Sequence, residues 1–387
     1  MYQGKYVFAQ VIEFLPRRIF DRIVDKYDGN QYVKHFTCWH QLLSMLFGQL
    51  TNRESLRDLI VTMNAHKSKA YHLGFGKGVT RSNLSKANSN RSSMIFEEFA
   101  FHIIDIARKL NANEDFKITG KVYAFDSSTI DLCLNVFWWA KFRKNKGGIK
   151  LHTLFDITTQ IPAFIHITPA TVNDMIAMDE IAYEDGAYYI FDRGYLDYFR
   201  LYEITQHSAF FVIRAKSNLK FGRMYSRKVD KSTGVQYDQI GKLTGFYTIQ
   251  DYPDKLRKIK YYDKENDRTL IFLTNNFDLA SEDIALLYKN RWQVELFFKW
   301  IKQHLKIKTF WGNSENAVRI QVFTAIIAYC LVAIIKAELK VNYSTYEIIQ
   351  VLGISLLDKT PINELLTVVE NHDVKEQEYN QLKISLF

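Results

Sequence analysis

Cysteine is scarce. Cys38, Cys133 and Cys330 are the three among 387 residues, odd in number and far apart. They have neither metal-ligand spacing nor the pattern of a disulfide framework, so buried free thiols in a reducing cytosol are the simplest reading. Proline is scarce too, with five residues, and low-complexity runs are few, which argues against long disordered linkers. No internal repeat is visible. The opening stretch MYQGKYVFAQVIEF has no signal-peptide apolar segment. The longest apolar run, Val322 to Ile335, spans 14 residues and ends at Lys336. A membrane span needs about 20, so this run reads as a buried helix.

What is present is ordinary for a large folded chain: 47% hydrophobic and 24% charged residues, with aromatics high at 15%. The net charge of +9 is unevenly spread. Residues 1–120 hold 17 Lys/Arg against 11 Asp/Glu, and residues 216–260 hold 11 against 4, so the remainder is acidic. Basic blocks suit phosphate backbones, and an acidic centre suits metal ions.

Periodicity divides the chain. Residues 1–118 read as a helical domain, with QYVKHFTCWHQLLSMLFGQL, NRESLRDLIVTM and SSMIFEEFAFHIIDIARKL as its helices. Between them, a short segment capped by Thr80 or Ser82 carries Arg81, Asn83, Ser85, Lys86, Asn88, Asn90 and Arg91. That is the inventory of a recognition helix, and equally of a solvated surface helix. Residues 119–215 alternate strands and helices: KVYAFDSSTIDL, IKLHTLFDI, IPAFIHITPA, a helix at NDMIAMDEIAYE capped by Asn173 or Asp174, GAYYIFDRGYLD, YFRLYEITQ and AFFVIRA. Such a pattern predicts an α/β layered domain. Residues 216–280 are basic, tyrosine-rich and strand-like, a β-rich insertion. Residues 281–340 return to helices, and 341–387 form a helical tail.

Within this frame two apolar strands each end in an aspartate, Asp126 in YAFDSS and Asp192 in YIFDRGY. The carboxyl ends of strands in open α/β sheets are where ligands bind, although an aspartate there also caps turns. A third acid lies in YKNRWQVELFFKWIKQHLK, which reads as one helix from Tyr288 to Lys306. At about 100° per residue, Tyr288, Arg291, Glu295 and Lys302 fall in a stripe roughly 60° wide. Leu287, Val294, Phe297, Phe298, Ile301 and Leu305 gather on another side, facing a core. Alone, such a stripe is an exposed face with an ordinary i, i+4 pair. Packed on the sheet, it brings three carboxylates together. That convergence is costly without a counter-cation. Two Mg²⁺ ions, for which Mn²⁺ can substitute, would resolve it and would support in-line phosphoryl transfer.

These residues resemble a known family. Tyr288-x2-Arg291-x3-Glu295-x6-Lys302 matches the YREK signature of a class of bacterial insertion-sequence DDE transposases, in all four positions and spacings. FDRGY, AFDSSTIDL, KLHTLFD and TVNDM resemble class motifs in the same order, over residues 121 to about 310. The resemblance implies a ribonuclease H-like mixed sheet with flanking helices and a β-rich insertion after the last core strand, behind an α-helical N-terminal domain. It implies a catalytic and metal-binding triad of Asp126, Asp192 and Glu295. It implies cut-and-paste transposition in the bacterial cytoplasm, by homodimers that cleave the terminal inverted repeats in trans through hairpin-ended intermediates. DNA contacts are expected from Tyr288, Arg291, Trp292, Lys299, Lys302, Lys150, His152 and Arg193, with Arg81, Asn83, Lys86 and Arg91 in the N-terminal domain. Trp292 can stack on an unpaired base or pack against the helix. In FWWAKFRKNKGG, Trp138 and Trp139 either face DNA or plug the core, and Gly194 leaves room for close backbone approach. Asp174 reads as a helix cap rather than a ligand, and Asp131 and Asp156 are not assigned to metal. Two other readings compete: a transposase-derived DNA-binding protein without chemistry, and a related nuclease without strand transfer.

Overall fold

Apolar periodicity in the first 110 residues is realised as six helices. In the computed structural model, which describes residues 4–111, 118, 120–143, 146–305, 307 and 310–367, these are α1 (Val7–Val11), α2 (Arg17–Lys26), α3 (Cys38–Leu50), α4 (Leu56–Ala65), α5 (Arg81–Asn90) and α6 (Met94–Leu110). Their starts follow the expected cap chemistry: the side chains of Thr37, Ser55 and Thr80 accept from backbone N–H groups at the heads of α3, α4 and α5.

The centre of the chain forms a ten-stranded mixed sheet: β1 (Val122–Leu132), β2 (Lys141–Arg143), β3 (Lys146–Asp156), β4 (Ile161–Pro169), β5 (Tyr188–Phe191), β6 (Phe210–Arg214), β7 (Phe221–Arg227), β8 (Val235–Leu243), β9 (Leu256–Asp263) and β10 (Arg268–Thr274). The strand order is β2-β3-β1-β5-β6-β10-β9-β8-β7, with β4 also paired to β3. β5 runs parallel to both β1 and β6, and the other pairings are antiparallel. The β-rich stretch of residues 216–280 therefore extends the central sheet through the β6–β10 pair.

Alternation along the strands sends neighbouring residues to two different cores. Val122 and Ala124 join one core, which also contains α6, α10 (Trp292–His304) and α11 (Glu315–Leu339). Tyr123 and Phe125 join the second, built with α7 (Tyr198–Gln206) and the 3₁₀ turn Asp174–Glu180. α11 is long and apolar enough to cross a membrane, but it is buried from Ala317 to Ile335 except at Arg319. It packs on α6, α3 and α5, so the N-terminal helices and the sheet share one continuous core. α12 (Thr345–Ser355) and α13 (Ile362–Leu365) follow, and the final 20 residues of the expected tail lie outside the described residues.

One ion pair fixes how the insertion meets the next helix. Arg257 on β9 and Asp238 on β8 are both buried, with Nη2 of Arg257 2.6 Å from Oδ2 of Asp238. Arg257 also donates to the carbonyls of Asn276 and Leu279, and the Ser281 hydroxyl donates to Asp238. Ser281 is the first residue of α9 (Ser281–Asn290), so this cluster sets where the following helix begins.

Four expectations need correction. Asp126 does not end its strand: the polar run SSTIDL keeps pairing with β3 to Leu132, so Asp126 is the point where β1 loses β5 and keeps β3. The segment from Tyr288 onward is two helices, α9 and α10, broken at Arg291, where the backbone bonds tighten to three-residue spacing on either side. Asp174 is not the cap of its turn. Asn173 is, while Asp174 pairs with Lys150. Among the cysteines, Cys38 and Cys330 are buried but Cys133 is exposed.

Candidate active site

β1 and β5 lie side by side with Phe125 opposite Phe191. The next residue on each is an aspartate, so Asp126 and Asp192 stand level on adjacent strands, which run about 4.8 Å apart in a sheet. α9 and α10 cross above them. The Tyr288 hydroxyl donates to Oδ1 of Asp192 at 2.9 Å. Arg291, at the break, donates through Nη1 to Oδ2 of Asp126 at 3.0 Å and through Nη2 to Oε1 of Glu295 at 2.6 Å. Lys302 donates to the backbone carbonyl of Thr129 on β1 at 2.9 Å. All four residues of the stripe thus meet the strand that carries Asp126 or one of the three acids. The break at Arg291 tips α10 so that Glu295 and Lys302 follow β1.

Charge is concentrated here. Burial raises the Asp126 pKa, and the nearby Glu295 and Asp192 raise it further, against the Ser127 N–H and Arg291, which lower it. Burial also acts on Asp192. The Arg193 N–H, the Tyr288 hydroxyl and Arg291 outweigh it, so this carboxyl stays below the usual range. Tyr288 is pushed up to about 12 by burial and by Asp192, so it is a hydrogen-bond donor at neutral pH. Burial lowers the Arg291 pKa, but its bonds to Glu295 and Asp126 more than restore it. Its Nε is buried with no partner among the described residues.

Sequence reasoning assigned no role to Tyr195. Its hydroxyl lies 3.5 Å from Oδ1 of Asp126, although it belongs to the turn that follows Asp192. Tyr195 therefore spans the two aspartate strands. Its place in FDRGY, one residue past the glycine, was the available signal. On the same side, the Ser127 hydroxyl donates to Asp174 at 2.9 Å, and Lys150 reaches Asp174 at 3.1 Å and the Val172 carbonyl at 2.7 Å.

A family comparison decides what this arrangement belongs to. The family described as "Transposase DDE domain" matches residues 118–331, more than half of the chain and a span that contains Asp126, Asp192 and Glu295. The chain belongs to the DDE transposase family. It is thereby an enzyme of DNA strand cleavage and strand transfer. A second family, a domain of unknown function, matches residues 3–76. A putative transposase of Sinorhizobium fredii is 37% identical over 65% of this chain and 70% of its own length. A probable transposase for an insertion sequence element of Geobacillus stearothermophilus is 34% identical over 53% of this chain and 54% of its own. A solved structure described as a piggyBac transposase synaptic complex with hairpin DNA has a TM-score of 0.49 at 11% identity, covering 92% of this chain and 81% of that one.

The structure sorts the residues expected to touch DNA. Trp292, Lys299 and Arg193 of the transposase are exposed around the acids, Trp292 at 57%. Arg81, Asn83 and Lys86 are exposed along α5. Others sit elsewhere than a DNA-facing surface. His152 is fully buried, with Nε2 2.8 Å from the Thr168 hydroxyl, because its strand register turns it into the second core. Arg91 is folded inward, donating to Oε1 of Gln41 and to the Phe36 carbonyl and lying over the Phe36 ring. Asn88 is buried against Gln41. Lys150 is largely covered and paired with Asp174. Trp138 is exposed at 80%, whereas Trp139 donates to the Asn313 carbonyl and packs on the main core. A Cβ at Gly194 would meet nothing within 4 Å, so the space beside it is open.

The donor set fits hard cations. Three carboxylates supply the oxygen ligands that Mg²⁺ prefers, and burial, with the two neighbouring acids after it, already raises Asp126. As the side chains stand, no group of three His, Cys, Asp or Glu among the described residues is close enough to hold an ion. The Arg291 guanidinium lies between two of the acids and supplies the positive charge there.

Proposed function

We propose that this chain is a cut-and-paste transposase of the YREK-signature class, with a ribonuclease H-like core. It binds the terminal inverted repeats of its insertion sequence, cleaves the DNA ends through hairpin intermediates, and joins them to target DNA. Asp126, Asp192 and Glu295 are its catalytic and metal-binding residues. One observation carries this reading: two aspartates stand level on adjacent parallel strands, and Arg291 ties the first of them to Glu295.

Two Mg²⁺ ions, or Mn²⁺ in their place, held by the three carboxylates would supply the Lewis acidity that activates water or a 3′-hydroxyl and stabilises the leaving oxygen. The chain's own residues do the rest. Tyr288 orients Asp192 and stays protonated as it does so. Arg291, once released from the carboxylates, offers a planar fork that grips a phosphate with two hydrogen bonds. Lys302 and Lys299 add positive charge along α10, and Trp292 offers an exposed ring for an unpaired base. Arg81, Asn83 and Lys86 on α5 read the terminal repeat, within a DNA-binding helical region of residues 1–118. The active assembly is a homodimer on DNA in the bacterial cytoplasm.

The test pairs binding with joining. Single alanine variants of Asp126, Asp192 and Glu295 are expected to retard a labelled element end in a gel as wild type does, and to give no joined products with a target plasmid. Joined products from any of the three would remove that residue from the triad. Cut ends without joining by wild type would make the chain a nuclease instead.

A further inference from the structure

The basic stretch of residues 216–260 is not absorbed by the site. Its positive charge divides between two faces of the sheet. On the inner face, Arg257 and Arg227 both meet Asp238. On the outer face, Lys258 and Lys260 alternate with the buried Arg257 and Ile259 along β9. Lys260 stands opposite Tyr237 and Lys258 opposite Gln239 on β8. Arg223 on β7 stands opposite Gly241, two residues farther along β8 than Gln239. The ion pairs of this region are Arg227–Asp238, Arg257–Asp238, Arg268–Asp263 and Lys289–Glu265. None includes Arg223, Lys258 or Lys260 among the described residues.

Two rings hold these cations in place. The Lys258 ammonium lies 4.6 Å from the centroid of Phe221 and 5.3 Å from that of Tyr237, and Lys260 lies 5.9 Å from Tyr237. Arg223 is close enough to Lys258 to lower its pKa, after burial, which lowers it more. Like charges are thus gathered on a partly open sheet face without an ion-pair partner among the described residues, which is the charge complement of a polyanion. The rings decide what kind of contact it makes. Tyr237 and Phe221 are half-buried and already covered by lysine, so they cannot stack on bases, and the cations above them are free to meet phosphates.

We propose that Arg223, Lys258 and Lys260 form a second DNA contact, a sequence-independent clamp on the phosphate backbone of duplex DNA, on the face of the sheet opposite α9 and α10. This rests on the reading of the chain as a DNA-binding transposase. It differs from α5 and α10 in carrying no base readout.

Salt dependence tests it. Each phosphate contact contributes about 0.9 to the slope of log K against log salt on duplex DNA. Binding of a fluorescent duplex would be followed by anisotropy across a salt series, for wild type and for the triple variant R223Q, K258Q and K260Q. The slope is expected to fall by roughly 2–3 in the variant, equally on an element end and on an unrelated duplex. A control pair, K340Q and K359Q, exposed lysines that follow α11 and α12, is expected to leave it unchanged. If the triple variant melts earlier than wild type, each single substitution should lower the slope by about 0.9. An unchanged slope in a variant that melts like wild type, while wild type binds DNA, overturns the clamp and leaves the transposase reading intact. A loss confined to the element end also overturns it, because that would be base readout. A wild-type chain that binds no duplex overturns both.

Discussion

Replacing Arg291 with methionine probes the centre of the site, because one side chain offsets the charge of two acids. Its side chain is 14% exposed, against 22% for Asp126 and 38% for Glu295. Removing one partner of a buried ion pair costs about 3–5 kcal/mol, since the other charge is left unpaired. Glu295 is more than a third exposed, so solvent screens its share. A loss of roughly 2–3 kcal/mol is therefore expected, coming mainly from Asp126. In a chain of 387 residues that lowers the melting temperature by roughly 2–4 °C. The same change opens the space between the acids to a cation. Mg²⁺ at about 100 times its dissociation constant stabilises by about 2.7 kcal/mol, so the variant should recover much of its loss. Wild type should gain less, because its guanidinium competes for the same oxygens. Thermal denaturation with and without Mg²⁺, for both proteins, gives the comparison. Equal melting temperatures without Mg²⁺, or no greater Mg²⁺ effect in the variant, would refute Arg291 as the charge that holds these acids together.

Further outcomes follow from the same reasoning. Asp238→Ala should cost about 3–5 kcal/mol in denaturant unfolding, because Arg257 is left buried without a carboxylate. A cost under about 1 kcal/mol would mean that the cluster does not anchor α9. Burial pushes His152 down to about 4, below the ordinary value of about 6.5. The unfolded chain then binds the extra proton first, so stability is complete above about pH 6.5 and declines as pH falls toward 4, by about 3 kcal/mol in all. His40 and His166 are lowered too and add with the same sign. Denaturant unfolding at pH 6.5 and pH 5 should therefore show a smaller difference in His152→Gln than in wild type, and an equal difference would contradict the assignment.

Much of the site was legible because its geometry is periodic. Tyr288, Arg291, Glu295 and Lys302 lie on one stripe at helical spacing, and they all meet β1 or the acids even though the helix breaks at Arg291. That break was not legible, since KNRWQ contains neither glycine nor proline. The end of β1 was misjudged because SSTIDL lacks apolar alternation, yet its pairing with β3 supplies backbone bonds that do not depend on side-chain type. Lys150 and His152 share one face by parity, but which face that is depends on the register between β1 and β3, which no local pattern reveals. Arg91 has the composition of a recognition residue and the position of a helix end, and position decided: the chain turns after Asn90, bringing the guanidinium to Gln41 and Phe36. The basic stretch was visible as a charge excess. Its division into an ion-paired inner face and an open outer one required the strand register.

Asp126, Asp192 and Glu295 are proposed to cut DNA at the ends of an element. The most direct measurement is cleavage of a plasmid carrying this gene with its native flanking DNA, by purified protein with Mg²⁺, with EDTA, and as the Asp192→Ala variant. Double-strand breaks at both flanks are expected with Mg²⁺, absent with EDTA and in the variant. Breaks that persist in Asp192→Ala, or specific binding by wild type with no break under any of these conditions, would contradict it.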